Sequence, residues 1–368
     1  MNIALIGASN TIGALNSTIA NFGADLGLTG SLILDKYYLG LLEGYKINPS
    51  KVDPKDSEAV LGLLRDAKLF SIGDMHALKQ ADVYVIDGTF GSLAASRVFN
   101  PSSISENRLR PTMMNFLNTT VVELANLYQK RLIVTESATL SRLRGNYTNN
   151  HYKKLSPKYY RMGAESWIGG LGRWCKPIVG EDRLEVFVTQ NSGFNMDNIY
   201  RHEWRNCAKG FILLIASLEH DPTHAYTSVE EYVAETIHNL RKHTSRRILL
   251  KPHPESSIDF KKVSREEKVE LLPKSARLAD VSKGCYCAVM DDSTSLFELV
   301  NYGIPCVTSR LSFGASLGNC SISEIEILNY PSSQEMLEWY RNMACTEFMH
   351  AEFGSPGILK YLMELIDG

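Results

Sequence analysis

The chain has 368 residues, of which 44% are hydrophobic and 22% are charged. This is an ordinary globular composition, and the length is sufficient for two domains with separate cores. The formal net charge of −2 excludes a general electrostatic attraction to nucleic acid or acidic membranes, and leaves only local patches for such partners.

The cysteine pattern and the first residues indicate a cytoplasmic protein. Seven cysteines are scattered along the chain, and the CxC pair of Cys285 and Cys287 has no second thiol pair at metal-ligand spacing. The opening stretch MNIALIGASN lacks the basic region and long apolar core of a signal peptide, and no apolar run reaches the ~20 residues that span a bilayer. We therefore expect reduced thiols, no metal site and no membrane insertion.

The predicted elements begin with a pattern of short buried strands that run into polar loops. NIALIG (2–7) is a strand followed by a turn-rich segment that opens a helix, and DVYVIDGTFG (82–91) and RLIVTESAT (131–139) repeat this pattern. TTVVELANLYQKR (119–131) has helical apolar spacing. Alternating strands and helices predict a parallel sheet, whose carboxyl edge is the usual ligand site.

Residues 142–205 are different, because they are rich in Gly, Tyr, Arg and Asn and contain one clear strand, LEVFVTQ (184–190). The strand–helix pattern then restarts with GFILLIASLEHD (210–221) and an amphipathic helix over 228–244, capped by Ser228. Further strands are predicted in RRILLKPHP (246–254), GCYCAVMDD (284–292) and IPCVTS (304–309). We predict two Rossmann-like α/β domains, 1–205 and 206–345, and a C-terminal helical segment, 346–368, that crosses back to the first domain.

The sequence KPHP follows the strand that ends near residue 250. Lys251 and His253 would lie at a strand's carboxyl end, where a lysine ammonium or an imidazole can bind phosphate. The alternative is a surface turn with two solvated side chains.

A second candidate element is DDSTSLFEL, which places Ser293, Thr294 and Ser295 at the predicted start of a helix. Hydroxyls and free backbone N–H groups there bind anions, and Glu298 one turn later could accept from ribose hydroxyls. The alternative is a plain helix cap.

The loop 217–228 contains Glu219, His220, Asp221 and His224, and it lacks the GxGxxG dinucleotide fingerprint. Its spacing matches no standard metal site, so we predict that Glu219 and His220 contact a ligand without a metal.

This ordered series resembles the nucleotide-sugar half of a GT-B glycosyltransferase. It is similar to capsule-polysaccharide-type transferases and to related tailed-phage proteins, in which K-P-H-P, a Ser/Thr cluster, a small helix and G-I-P follow one another. YYRMGAESWIGGLGRW (159–174) and residues 335–362 are also similar to the phage set, so the resemblance covers about 155–365. It implies two Rossmann-like domains that face each other across a cleft.

The resemblance also implies site roles. Lys251 and His253 would face the diphosphate and nucleoside of a nucleotide-sugar donor, with Ser293, Thr294 and Ser295 around its phosphates. Fixed dipoles and basic side chains can neutralise the leaving diphosphate, so neither a metal nor another cofactor is required. Asp87 and Glu136, at strand ends of the first domain, are the candidate bases for the acceptor hydroxyl.

The acceptor is predicted from the loop RLRGNYTNNHYKKLSPKYYR (142–161), where cations that can bind phosphates alternate with tyrosines that can stack on a base. Its predicted contacts are Arg142, Arg144, Lys153, Lys154, Lys158, Arg161 and Tyr152. We predict transfer to a 5-hydroxymethylpyrimidine in double-stranded phage DNA, in the host cytoplasm. The alternatives are a capsule or lipopolysaccharide acceptor, a non-catalytic GT-B-like nucleotide-binding protein, and an NAD-dependent Rossmann enzyme.

Overall fold

The computed structural model describes several segments of the chain, and their strands form two β-sheets. The described residues are 1–7, 10–33, 72–87, 121, 124–137, 159–164, 183–185, 199–217, 228–254, 256–291, 293–310, 312–349 and 351–368. Among these residues, no helix has the length and apolar character that crossing a membrane requires.

The strands are numbered in chain order. They are β1 (Asn2–Ile6), β2 (Thr29–Ile33), β3 (Val83–Asp87), β4 (Arg131–Ser137), β5 (Tyr159–Ala164), β6 (Phe211–Ile215), β7 (Ile248–Lys251), β8 (Glu270–Leu271), β9 (Cys285–Val289), β10 (Cys306–Val307) and β11 (Glu347–Met349). The first sheet has the order β11-β5-β4-β3-β1-β2, and the second has the order β10-β9-β6-β7-β8.

Parallel pairing dominates both sheets. In the first sheet β2, β1, β3 and β4 are parallel, whereas β5 runs antiparallel to β4 and to β11. All pairs of the second sheet are parallel. The buried strands are continuous apolar runs such as FILLI in β6, as expected where both faces of a parallel sheet are covered. The predicted α/β class with two Rossmann-like sheets is confirmed.

Besides helical residues at 121, 124–127, 183–185 and 199–200, the described segments contain eight α-helices. They are α1 (Asn10–Phe22), α2 (Ile72–Gln80), α3 (Val229–His243), α4 (Lys261–Glu266), α5 (Leu278–Val281), α6 (Ser295–Asn301), α7 (Ser333–Ala344) and α8 (Gly357–Asp367). The predicted cap of α3 is confirmed, because the Ser228 side chain accepts a hydrogen bond from the Glu231 N–H. A full capping box of Ser332 and Glu335 begins α7.

The last helix packs on the first sheet. Leu359 and Leu362 of α8 lie in one buried cluster with Leu5, Val85 and Ile133 of β1, β3 and β4. The final residues therefore return to the sheet that the first residues build. The boundaries 205/206 and 345/346 stay predictions.

Helix α7 contributes to the core that both sheets share. Trp339 and Tyr340 lie in a buried cluster that includes Tyr84 of the first sheet and Leu213 of the second. Trp339 stacks on Phe297 of α6 with ring centroids 5.3 Å apart. Helix α7 therefore couples packing of the first sheet to the helix that begins near the Ser/Thr cluster.

The glycine of the predicted G-I-P motif has a steric function. Gly303 has a φ of +72°, and a Cβ there would lie 2.3 Å from the Glu203 carbonyl oxygen. The Arg205 N–H donates to the Gly303 carbonyl at 2.7 Å. Only glycine permits this close contact between the end of α6 and the 203–205 segment.

One predicted strand is wrong where the structure describes it. Residues 183–185 are helical, whereas we predicted a strand over 184–190; the rest of that stretch lies outside the described residues. Tertiary contacts override the β-forming sequence, because Leu184 is 1% exposed and the Arg183 guanidinium bonds Glu352.

Candidate functional site

The carboxyl edge of the second sheet brings polar residues from four neighbouring strands into a row, and Lys251 is the predicted site residue among them. The order β10-β9-β6-β7 places Thr308, Asp291, Ser217 and Lys251 at or just beyond successive strand ends. Adjacent strands lie about 4.8 Å apart, so four strand ends span roughly 14 Å. This edge is wide enough for a ligand of nucleotide size.

Ser217 is the residue of this edge that points most directly to a ligand. It follows β6, it is 6% exposed, and its hydroxyl has no hydrogen-bond partner in the described part of the protein. A buried hydroxyl without a partner costs about 1–3 kcal/mol, which a bound ligand can recover. Sequence reasoning missed Ser217, although a hydroxyl residue directly after a buried apolar strand is a usable signal.

Thr308 also has a buried hydroxyl without a partner, but its surroundings are different. A Cβ on Gly314 would lie 2.9 Å from the Thr308 hydroxyl oxygen. The glycine therefore lets the backbone of the 313–317 turn approach this side chain closely, and we assign Thr308 to packing.

Lys251 is buried, which departs from the predicted direct contact with a diphosphate. It is 5% exposed, and its ammonium donates to the carbonyls of Pro252 at 3.0 Å and Lys274 at 3.1 Å. Burial lowers the pKa of this ammonium, and the Glu298 carboxylate opposes that shift. Two of the three N–H groups of this ammonium therefore donate hydrogen bonds to the backbone of the loops that follow β7 and β8.

Glu298 is the acidic counterpart of Lys251. Burial raises the pKa of the Glu298 carboxyl, whereas a hydrogen bond from Tyr302 at 3.0 Å and the charges of Arg277 and Lys251 lower it. Burial and the neighbouring Glu298 raise the pKa of Tyr302 to about 12, so Tyr302 is a proton donor at neutral pH. The predicted ribose contact of Glu298 stays a prediction.

His253 and the Ser/Thr cluster lie at the more accessible part of the edge. His253 and Ser293, Thr294 and Ser295 are each intermediate in exposure. The Ser293 hydroxyl accepts from the Ser295 N–H at 3.3 Å, whereas the Thr294 side chain makes no capping bond. Thr294 is the N-cap residue of α6, and the Ser293 bond to the Ser295 N–H is local to the residues that precede and begin the helix. The anion role of this cluster stays a prediction, and so does its alternative as a plain helix cap.

The candidate bases end neighbouring strands of the first sheet. Asp87 is the last residue of β3 and pairs in register with Thr135 of β4, directly before Glu136. Both backbones therefore lie at one carboxyl edge. Which residue acts as a base stays a prediction, since their side chains lie outside what the structure describes.

Arg161 is a correction to the predicted DNA-facing patch. It is 6% exposed in β5, in register with Glu136 on one side and Glu347 on the other. Its guanidinium lies over the Phe313 ring, 5.8 Å from the centroid. An interior strand position buries this side chain, so it does not contribute a surface cation.

The remaining predicted contacts lie outside the described residues. They are Glu219, His220, Arg142, Arg144, Lys153, Lys154, Lys158 and Tyr152. Their predicted roles are therefore unchanged.

The thiols of Cys285 and Cys287 are buried in β9. Burial raises the pKa of Cys285 to about 12 and also raises the pKa of Cys287, so both stay protonated. Within the described segments, no group of three or more His, Cys, Asp or Glu side chains could hold a metal ion.

Solved structures with a remote likeness include sugar-nucleotide enzymes. The β-Kdo 2,7-transferase KpsC of Thermosulfurimonas dismutans is 13% identical, with a TM-score of 0.43 and coverage of 98% of this chain and 100% of that chain. The UDP-GlcNAc 2-epimerase of Methanocaldococcus jannaschii is 13% identical, with a TM-score of 0.25 and coverage of 99% of each chain. The E. coli heptosyltransferase WaaC is 13% identical, with a TM-score of 0.21 and coverage of 84% of this chain and 88% of that chain.

No protein-family model and no curated protein matches the sequence. The TM-scores assign neither an activity nor a substrate. The residues of the carboxyl edge are therefore the basis for assigning a function.

Proposed function

We propose that the protein is a glycosyltransferase that binds a nucleotide sugar at the carboxyl edge of its second sheet. The proposal rests on the row of Ser217, Lys251 with His253, and Ser293 at three neighbouring strand ends. Among the residues that the structure describes, the buried Ser217 hydroxyl has no hydrogen-bond partner. Open parallel sheets bind nucleotides at this edge. A non-catalytic binding protein would bind a nucleotide sugar at the same edge. An enzyme also needs a base for the acceptor hydroxyl, and the candidate bases Asp87 and Glu136 lie in the first sheet.

The donor-side residues have complementary tasks in this proposal. Ser217 and His253 donate hydrogen bonds to the diphosphate, and Ser293 holds the start of α6 in place next to it. Lys251 acts as a positioning residue that fixes the loops beyond β7 and β8, and its charge favours an anion nearby. Fixed donors and positive charge stabilise the diphosphate as it leaves, so the proposed mechanism needs no metal or other cofactor.

Replacement of His253 by alanine is expected to weaken nucleotide-sugar binding about tenfold, because one donor to a charged oxygen is lost. His238→Ala is the matched control, since His238 is exposed on α3 of the same unit. Isothermal titration calorimetry with the bound donor measures both. Equal affinities for the two variants would remove His253 from the site.

Two acceptors are compatible with the donor edge. The sequence of loop 142–158 favours the exocyclic hydroxyl of a 5-hydroxymethylpyrimidine in double-stranded phage DNA, because its cations can bind phosphates and its tyrosines can stack on a base. The burial of Arg161 removes one cation from that patch and favours a capsule or lipopolysaccharide saccharide. Either acceptor supplies a hydroxyl nucleophile.

Transfer of labelled sugar to defined acceptors decides between these alternatives. With hydroxymethylated duplex DNA as acceptor, we expect incorporation that falls steeply with salt, because phosphate contacts release counterions. The same duplex without hydroxymethyl groups is the control. Incorporation into a capsule or lipopolysaccharide oligosaccharide, with none into either duplex, would replace the DNA acceptor by a saccharide.

A further inference from the structure

An open cavity lies at the amino end of the second sheet, opposite the proposed donor edge. Its volume is about 620 Å³, which is within the usual range for small-molecule sites. Segments before β6 and β7, the end of α3 and the region after the 322–324 turn form its walls. The lining residues are Lys209, Gly210, Phe211, His243, Thr244, Ser245, Arg246, Arg247 and Glu326.

Arg246 forms a fixed wall of this cavity. Its guanidinium lies 3.7 Å from the centroid of the Tyr286 ring and donates to both Glu326 carboxylate oxygens. It also donates to the carbonyls of Ala208 at 2.6 Å and Gly210 at 3.2 Å. The charge of Glu326 is therefore matched by Arg246, and the other cations of the cavity have no acidic partner within its lining.

Three polar side chains of the lining are available to a ligand. In the described part of the chain, no hydrogen bond or ion pair engages the Lys209 ammonium, the His243 ring or the Ser245 hydroxyl. Arg247 bonds only Glu270, in a pair whose side chains are 62% and 48% exposed. Solvent screens such an exposed pair, so a ligand can compete for the Arg247 guanidinium.

Gly210 lets the backbone close the floor of the cavity. A Cβ at this position would lie 2.6 Å from the Tyr286 nitrogen and 2.8 Å from the Cys207 and Gly284 carbonyl oxygens. The register of β6 and β9 also shifts between Phe211 and Ile212. The floor of the cavity is therefore the tightly packed start of β6, where the pairing with β9 is irregular.

We propose that this cavity binds the phosphate group of a small phosphate ester, such as a sugar phosphate. Lysine, arginine, imidazole and hydroxyl donors suit the several oxygens of a phosphate dianion better than the two coplanar oxygens of a carboxylate. The acidic side chains of Glu326 and Glu270 border the site and disfavour a long polyanion. The site is separate from the donor edge and does not depend on the proposed transferase activity.

The test is calorimetric titration of the full chain with glucose 1-phosphate. The double variant Lys209→Glu with Arg247→Glu should weaken binding about tenfold or more, because two cationic donors become repulsive charges. The matched control is Lys261→Glu with Lys262→Glu, which reverses two charges on α4, where both side chains are at least 74% exposed. The control should bind as the parent does, and both variants should retain the parent melting temperature.

Three results of the titration would overturn the proposal directly, and a fourth would assign the phosphate to another site. The three are no binding by the parent, equal weakening in both double variants, and displacement of glucose 1-phosphate by a short DNA duplex at lower phosphate concentration. Loss of binding in His253→Ala, with full binding in Lys209→Glu/Arg247→Glu, would move the phosphate to the donor edge. In that case the donor proposal would gain support while this one fails.

Discussion

Replacing Arg183 by alanine is expected to lower the free energy of unfolding by about 2–3 kcal/mol, because a partly buried charge pair, with side chains 10% and 23% exposed, loses one partner. The Arg183 guanidinium bonds the Glu352 carboxylate at 2.7 Å and donates to the Ala344 carbonyl at 3.2 Å. It lies 4.4 Å from the Phe348 ring centroid and 5.0 Å from that of Tyr361. Arg183 thus joins the 183–185 turn to β11 and α8.

Urea denaturation, followed by tryptophan fluorescence, measures this loss. Arg201→Ala is the matched control, because Arg201 is exposed, and its free energy of unfolding should stay within about 0.5 kcal/mol of the parent. If the free energy of unfolding changes by less than about 1 kcal/mol in Arg183→Ala, Arg183 does not stabilise the contact of residues 183–185 with β11 and α8. Glu352→Ala should destabilise to a similar extent, since it leaves the partly buried Arg183 guanidinium without its carboxylate.

Replacing the catalytic base is expected to reduce turnover about 10²–10⁴-fold while donor affinity stays at the parent value. Glu136→Ala and Asp87→Ala are the two variants, because β4 and β3 end side by side with these residues at one edge. Under the proposed function, one carboxylate takes the proton of the acceptor hydroxyl, and the donor binds to the other sheet. Loss of the base therefore affects chemistry and spares donor binding.

Initial rates of sugar transfer and calorimetric donor affinities, measured on the same preparations, test this expectation. Asp25→Ala serves as control, because Asp25 lies in the exposed 24–26 turn beyond the end of α1, away from that edge. Parent-like turnover in both single variants and in the double variant would exclude both carboxylates. If the parent protein binds the donor and transfers sugar to none of the acceptors, it is a non-catalytic nucleotide-sugar-binding protein and not a glycosyltransferase.

The sequence predicted the elements whose signal is local. β6, β7 and β9 are short apolar runs that end in polar loops, and the structure places them side by side in one parallel sheet. The cap of α3 was equally local, since Ser228 and Glu231 are three residues apart. Such features depend on periodicity and near neighbours, which a single sequence contains.

The sequence could not predict features that depend on distant partners. The strands β5 and β11 pair with each other although they are far apart in the sequence, and Arg161 lies opposite Glu347 in this pairing. Nothing near Lys251 in the sequence shows that the Lys274 carbonyl accepts from its ammonium. The burial of Arg161 and Lys251, and with it the change in their expected roles, follows from such contacts.

Calorimetric titration of the parent protein with a panel of nucleotide sugars tests whether the carboxyl edge of the second sheet binds a nucleotide-sugar donor. The panel contains UDP, GDP, CDP, ADP and TDP sugars and nucleoside-monophosphate sugars, each with its free nucleotide as a control. We expect at least one nucleotide sugar to bind, and Ser217→Ala to weaken this binding, because the variant lacks a buried hydroxyl that has no partner among the described residues. If the folded protein binds no member of the panel, it is not a nucleotide-sugar-dependent glycosyltransferase.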